Sequence, residues 1–287
     1  MIWYLWALLG AVFSASYYTW TKKLLKEVNQ YILAAGTFLS TFIILQLFAL
    51  TRDVPQISGR FYFGVFGGVF VNVIAVTLVY KALKHTDLSL AMPIISFTPA
   101  FTLLTSFVLL GEFPTLFGLA GILLIVIGSY VLNISHDGEP FLKPIQHIFK
   151  TRGTVYMLIV AFLYSFGINF DKIVVINSDS VFGYSFIPLG LGLSFLVISL
   201  IQKLPLIETV RKHGLKIVGA GAILGLTAVS VNIALTQQIV PYVISIKRMS
   251  VLFGVLFGGF FFHEKNMSHR VLGALIMVSG MIVIIMF

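Results

Sequence analysis

Residues 82–128 reappear 152 positions later without a gap, so that Ala82, Leu83, Phe101, Glu112, Gly121 and Gly128 answer to Ala234, Leu235, Phe253, Glu264, Gly273 and Gly280. Each copy lies within a half that carries an odd number of long apolar runs. A duplicated unit with an odd number of spans must enter a bilayer the second time with opposite orientation, which is how many secondary transporters are built. An earlier correspondence, at an offset of 150, joins Ala11 to Ala161, Trp20 to Phe170 and Lys22 to Lys172.

Ten apolar runs can be read, roughly 2–20, 30–50, 61–80, 89–110, 114–133, 153–171, 180–202, 214–237, 239–262 and 268–287. About 20 helical residues cross a hydrocarbon core of about 30 Å, so each run is long enough to span. The runs are continuously apolar rather than alternating, which predicts helices and excludes a barrel. Charged residues make up only 10% of the chain and hydrophobic ones 59%, far from the composition of a water-soluble globule. The fold class expected is therefore an all-α membrane protein of ten transmembrane helices in two inverted five-helix repeats. The repeats are expected at 1–135 (spans 1–5) and 153–287 (spans 6–10), joined by a linker over 136–152 that Gly138, Pro140 and Pro144 punctuate.

Met1-Ile2-Trp3 lacks the basic start of a secretory signal, so the first run reads as an uncleaved helix. The net charge of +9 is a topology signal rather than a nucleic-acid footprint. Loops after the odd-numbered spans hold fourteen of the Lys and Arg residues, and the opposite loops hold Arg52, Arg60 and Lys172. The positive-inside rule then places the odd loops in the cytoplasm and both termini outside, in a multi-pass protein expected in the plasma (inner) membrane. With no cysteine, disulfides and thiolate metal sites are excluded.

Glycines punctuate the spans at Gly64/Gly68, Gly221/Gly225 and Gly254/Gly258, and Gly121/Gly128 share a seven-residue spacing with Gly273/Gly280. Small residues let helix backbones approach closely where lipid offers no hydrophobic drive for association, so these positions are expected to pack one bundle. The last helix of each half should seat on its glycine pair.

Together, Ala82-Leu83, Pro93, Pro99, Leu110-Gly111-Glu112, Gly118, Gly121 and Gly128, echoed by Ala234-Leu235, His263-Glu264, Gly273 and Gly280, resemble the EamA domain of the drug/metabolite transporter superfamily. That resemblance covers essentially the whole chain. It implies a ten-helix carrier with a central cavity lined mainly by spans one, three, four, six, eight and nine, working by alternating access. The second half departs from the pattern by placing His263 where glycine usually precedes glutamate. Glu112 and Glu264 read as structural, capping or pairing with nearby cations.

Span nine contains Lys247 and Arg248, about 11 Å from its nearer end. Each cation costs roughly +2.5 to +3.5 kcal/mol at such depth, against roughly −0.3 to −0.6 for each Leu, Ile, Phe or Val. Thirteen such apolar residues between Val240 and Phe262 offset about 4 to 8 kcal/mol, so the span inserts with little margin. Ile95 and Ser96 occupy the matching places in span four, so the fold itself does not demand charge there. Lys247 could still be structural, snorkelling to the interface or pairing with Asp171 at the end of span six. The functional reading is an anion site, in which an arginine fork holds a carboxylate or phosphate and a lysine adds a point charge. A Lys-Arg pair in span nine is similar to that of plastid sugar-phosphate/phosphate translocators and some nucleotide-sugar carriers of the same superfamily.

Tyr17, Asn72, Tyr80, Ser96, Tyr164, Asn169 and Asn232 are further candidate substrate contacts. Tyr17 belongs to a stripe with Ser14, Tyr18 and Thr21, and Tyr164 and Asn169 to one with Ser165. Helix-to-helix hydrogen bonding competes with ligand contact at each of them.

All ten acidic residues fall in loops or near span ends, so no proton relay of the kind found in proton-driven pumps is visible. Exchange or facilitated diffusion of a small organic anion is expected, with export of neutral or amphipathic metabolites as the alternative if Lys247 and Arg248 are structural. No paired carboxylates, metal-ligand cluster or activated nucleophile suggests an enzyme, and no cofactor, nucleic-acid partner or protein partner is expected.

Overall fold

The computed structural model describes residues 2–51, 53–85, 94–133, 152–253 and 267–286. They form ten helices, in chain order α1 (Trp3–Leu24), α2 (Gln30–Ala49), α3 (Arg60–His85), α4 (Thr98–Leu110), α5 (Leu116–Asn133), α6 (Arg152–Ile176), α7 (Phe182–Ile201), α8 (Leu206–Gln237), α9 (Val240–Lys247) and α10 (Met267–Met286). No strand occurs among the described residues. Among the described residues five stretches are long and apolar enough to cross a membrane, namely α2, α3 as far as Val79, α6, α7 and α8, while α4, α5 and α10 contain shorter apolar segments.

Several boundaries differ from those read in the sequence. Helix α6 continues to Ile176, so Asp171 and Lys172 lie inside it rather than at its end and beyond. Helix α8 begins at Leu206 instead of 214. Its first turns are amphipathic: His213, Ile217 and Ala220 bury one face at i, i+4 and i+7, while Arg211, Lys212 and Lys216 stay exposed. Span nine tightens by a turn at Arg248. Helix α9 stops at Lys247, and Arg248 forms a turn whose N–H donates to both Ile244 and Ser245 carbonyls at 3.1 Å before helix resumes at Met249. Linker residues 136–151, His263, Glu264 and the Gly254/Gly258 pair lie outside the described residues.

The main contacts run between the halves. Helix α3 packs on α6, α1 on α8, α2 on α7 and on α8, α4 on α6, and α5 on α10. A side chain at Gly121 would strike the Gly280 carbonyl at 2.7 Å, and one at Gly128 would strike that of Gly273 at 2.7 Å. Lower numbers on α5 therefore meet higher numbers on α10, and the two helices run antiparallel. Helices α2 and α7 do likewise, with Phe38 stacked on Phe195 and Gln46 donating to Ser185 Oγ at 2.8 Å. The same rule of close approach holds for α3 on α6, where Gly64 meets Val174 and Gly67 meets Phe170. Thr41 Oγ1 adds a bond to the Gly221 carbonyl, 2.9 Å away on α8.

Large apolar side chains such as Phe66, Phe70, Leu104, Phe107, Val108 and Leu215 point outward and are exposed. An apolar exterior of this extent needs lipid as its solvent. The interior is correspondingly rich in small polar groups, including Thr102, Ser106, Ser165 and Ser199, which bond to nearby backbone or neighbouring helices.

Candidate functional site

The buried start of α9, Pro241 to Ile246, is packed on all sides and carries the chain to Lys247 and Arg248, which are only half-buried. Consecutive helical residues point about 100° apart, so the two cations face different neighbours. Lys247 is within electrostatic reach of Asp171 on α6, and Arg248 of Tyr18 on α1 and Tyr164 on α6. Tyr164 and Asp171 stand two helical turns apart, so one face of α6 presents a hydroxyl and a carboxylate to the pair about 10 Å apart.

The ion pairs among the described residues join Lys172 to Glu112 and Glu27 to His213 and Lys216, with no direct pair at Lys247 or Arg248. Arg248 Nε and Asp171 Oδ1 are both buried without a hydrogen-bond partner among the described residues. An unpaired buried polar atom normally costs about 1–3 kcal/mol, so these two are atoms for which a ligand or water would be a net gain.

The turn at Arg248 has a counterpart. In the first half Ser96 and Phe97 form a turn between a helical Ile94-Ile95 and α4, and Ser96 is the repeat equivalent of Arg248. Both are tightened turns rather than unwound segments, since Phe97 and Arg248 keep right-handed helical backbone and Arg248 N–H stays bonded to the Ile244 carbonyl. Of the two turns, the second carries charge.

The other sequence candidates divide. Asn169 is fully buried; it accepts from Ser106 Oγ at 2.8 Å and donates to Thr105 Oγ1 at 3.0 Å and the Ser165 carbonyl at 2.7 Å. Ser96 is buried and accepts from Ser129 Oγ at 2.9 Å. Both are engaged in helix-to-helix bonding, the reading that competed with ligand contact. Asn72 donates to the Gly68 carbonyl at 2.9 Å and fills the space that a side chain at Gly167 would need. Tyr17 leans on the cluster of Leu24, Ile32 and Leu33, its ring 5.6 Å from that of Tyr18. Asn232 is buried with its Nδ2 unpaired among the described residues. The side chain of Tyr80 lies outside the described residues. Tyr164 is the candidate brought to Arg248, and Tyr18, named in the sequence only as part of a stripe, joins it there.

Sequence reasoning placed Lys172 in an outer loop, and the structure buries it in α6 against Glu112, 2.5 Å away. The signal was available in the repeat, since Lys172 and Glu112 each occupy a position that recurs in the other half.

Residues 1–134 match the model of the EamA-like transporter family. This EamA-like family consists of membrane transporters, not enzymes, and is part of the drug/metabolite transporter superfamily. A solved crystal structure of a protein is similar over 98% of this chain and 94% of its own, with a TM-score of 0.75 at 17% identity, which extends the likeness of fold across both halves. No curated protein sequence matches this chain.

Proposed function

We propose that the chain is a secondary carrier of small organic anions, carboxylates or phosphate esters, that works by alternating access. In this reading ten spans form two inverted repeats, 1–135 and 153–287, with both termini outside the cytoplasm of a plasma (inner) membrane. Antiparallel packing of equivalent helices, α2 on α7 and α5 on α10, supports inversion, because a two-fold axis in the membrane plane reverses one copy relative to the other. Lys247 and Arg248 hold the anion, with Tyr18 and Tyr164 beside the arginine and Asp171 balancing the lysine while the site is empty.

The observation that carries this reading is the buried Arg248 Nε, unpaired among the described residues. A guanidinium in a low-dielectric setting with an open donor attracts a carboxylate or phosphate oxygen more strongly than it would in water. Exchange or facilitated diffusion is the mode of transport proposed; Asp171, which the sequence placed near a span end but which lies inside α6 near Lys247 with its Oδ1 buried, is the acidic group that a proton-coupled mode would use.

Uptake of labelled anions into proteoliposomes tests the proposal. Lys247→Ala and Arg248→Ala should cut anion transport while leaving the protein folded, and unlabelled anion inside should accelerate uptake by counterflow. Acceleration by an imposed pH gradient alone would reject exchange. A second reading, export of neutral or amphipathic metabolites, draws on the nearness of Asp171 to Lys247, which could neutralise the lysine internally. Equal loss of anionic and neutral substrates, together with poor expression, would favour that alternative.

A further inference from the structure

Glu112 and Lys172 meet at the end of the bundle where α4, α6 and α8 finish. The carboxylate takes two partners, Lys172 Nζ at 2.5 Å and the Val240 N–H at 2.8 Å, and Lys172 Nζ also donates to the Gln238 carbonyl at 2.6 Å. Their side chains are only 16% and 9% exposed. Three places in the chain are thus tied: the α4–α5 connection of the first half, and α6 and the α8–α9 turn of the second. Gly111 makes this possible, because its left-handed backbone, φ 69°, turns the chain sharply and throws Glu112 back across the end of α4. Beside it the Tyr242 hydroxyl accepts from the Thr115 N–H at 3.0 Å, a second tie between the same two halves.

We propose that the Glu112–Lys172 pair is a latch that holds this end of the carrier closed and parts when the protein turns to its other state. The latch rests on the alternating-access reading but not on the nature of the substrate. Apolar packing would serve a permanent joint as well or better, since burying two charges costs solvation that an apolar contact of the same shape avoids. A joint that must open to water is different: an ammonium and a carboxylate are rehydrated when they separate, whereas an apolar seal would expose its surface at each opening. Glu112 belongs to the α4–α5 connection, and Lys172, Gln238 and Val240 to α6 and the α8–α9 turn, so the tie joins helix ends that a change of access at this end of the bundle would have to separate. Lys22, the repeat counterpart of Lys172, is exposed at the end of α1, so the fold does not require a buried lysine at this position of the repeat.

The chain has no cysteine, so two can be introduced without background. Phe113→Cys and Gln237→Cys, both at exposed positions flanking the latch, carry spin labels, and their separation is read by pulsed electron resonance in liposomes with no substrate present. With the native pair a short distance should dominate over a minor longer one. Glu112→Gln and Lys172→Met should each shift the ratio toward the longer distance by about tenfold or more, the effect of losing a charge-assisted hydrogen bond on a two-state equilibrium. Folded variants with the native distribution would overturn the latch. Should a variant not fold, a single distance in the native protein would overturn it equally. Such a result with anion counterflow intact would sink the latch and leave the carrier standing, whereas absence of anion counterflow with a movable latch would sink the anion reading and leave the latch.

Discussion

The seam between α5 and α10 and the pair of tightened turns around Ser96 and Arg248 obey opposite rules. At the seam the repeat is kept to the level of single residues: Gly121 and Gly128 meet Gly280 and Gly273, and each glycine presses on the carbonyl of its partner. At the turns the backbone form is shared but the chemistry is not. Ser96 is bonded to Ser129 in one half, and in the other Arg248 holds a donor left open among the described residues. Symmetry is preserved where two backbones must touch and abandoned where a cation stands in place of a serine. Close backbone packing tolerates little change on either side of the seam, whereas the proposed anion site needs only one charged wall.

The sharpest way to break that contrast is to overfill the seam. Gly128→Leu, or its partner Gly273→Leu, would drive side-chain atoms into backbone carbonyls 2.7 to 2.8 Å from where Cβ must stand. Overpacking costs about 1–3 kcal/mol where side chains can yield, and a carbonyl in a helix yields less. Loss of folded protein in thermal unfolding is expected for both, while Gly59→Leu, at a position with no atom within 4 Å, should unfold like the native protein.

On the other side of the comparison, Arg248→Ala should reduce anion transport by about tenfold to a hundredfold, as expected for losing a charge-assisted bond of about 1.5–3 kcal/mol. Its unfolding temperature should change little. Arg248→Lys is expected to recover only part of the activity, because a point charge lacks the planar fork; proteoliposome uptake reads both.

Asn169→Ala supplies the intermediate case. It takes from Ser106 and Thr105 the amide they bond inside the bundle, so stability should fall by about 1–3 kcal/mol in chemical denaturation with unchanged preference among substrates. A change of preference would move Asn169 back into the binding site. The smallest effect is expected for Ser96→Ala, which removes a neutral bond worth about 1 kcal/mol; thermal unfolding close to that of the native protein, with transport unchanged, is the expected result.

How much was legible depended on what each residue answers to. The glycine pairs were visible because close helix approach restricts a position to one residue type, and the spacing of seven gave the shared face. That they would seat on one another, rather than on other helices of their own half, was not written in the spacing. Lys247 and Arg248 stood out because charge in an apolar run has a cost that can be counted from the sequence. Asn169 and Ser96 looked the same as ligand-facing residues, since a buried amide or hydroxyl is polar whether it bonds a helix or a substrate. Lys172 was misplaced because hydropathy ends a span at the first charges, while a buried carboxylate allows a helix to carry its lysine onward.

The amino-acid sequence alone determined that the chain is helical and apolar enough for lipid, that residues 82–128 have an echo 152 positions on, and that one apolar run bears two costly cations; these follow from composition and period, which are local properties. Only the tertiary structure decided which helices meet, that span nine tightens at Arg248, and that Glu112 reaches Lys172 instead of solvent. Pairing across a bundle is a choice among surfaces of nearly equal apolarity, and in lipid that choice is made by shape and by hydrogen bonds that exist only once the helices are side by side.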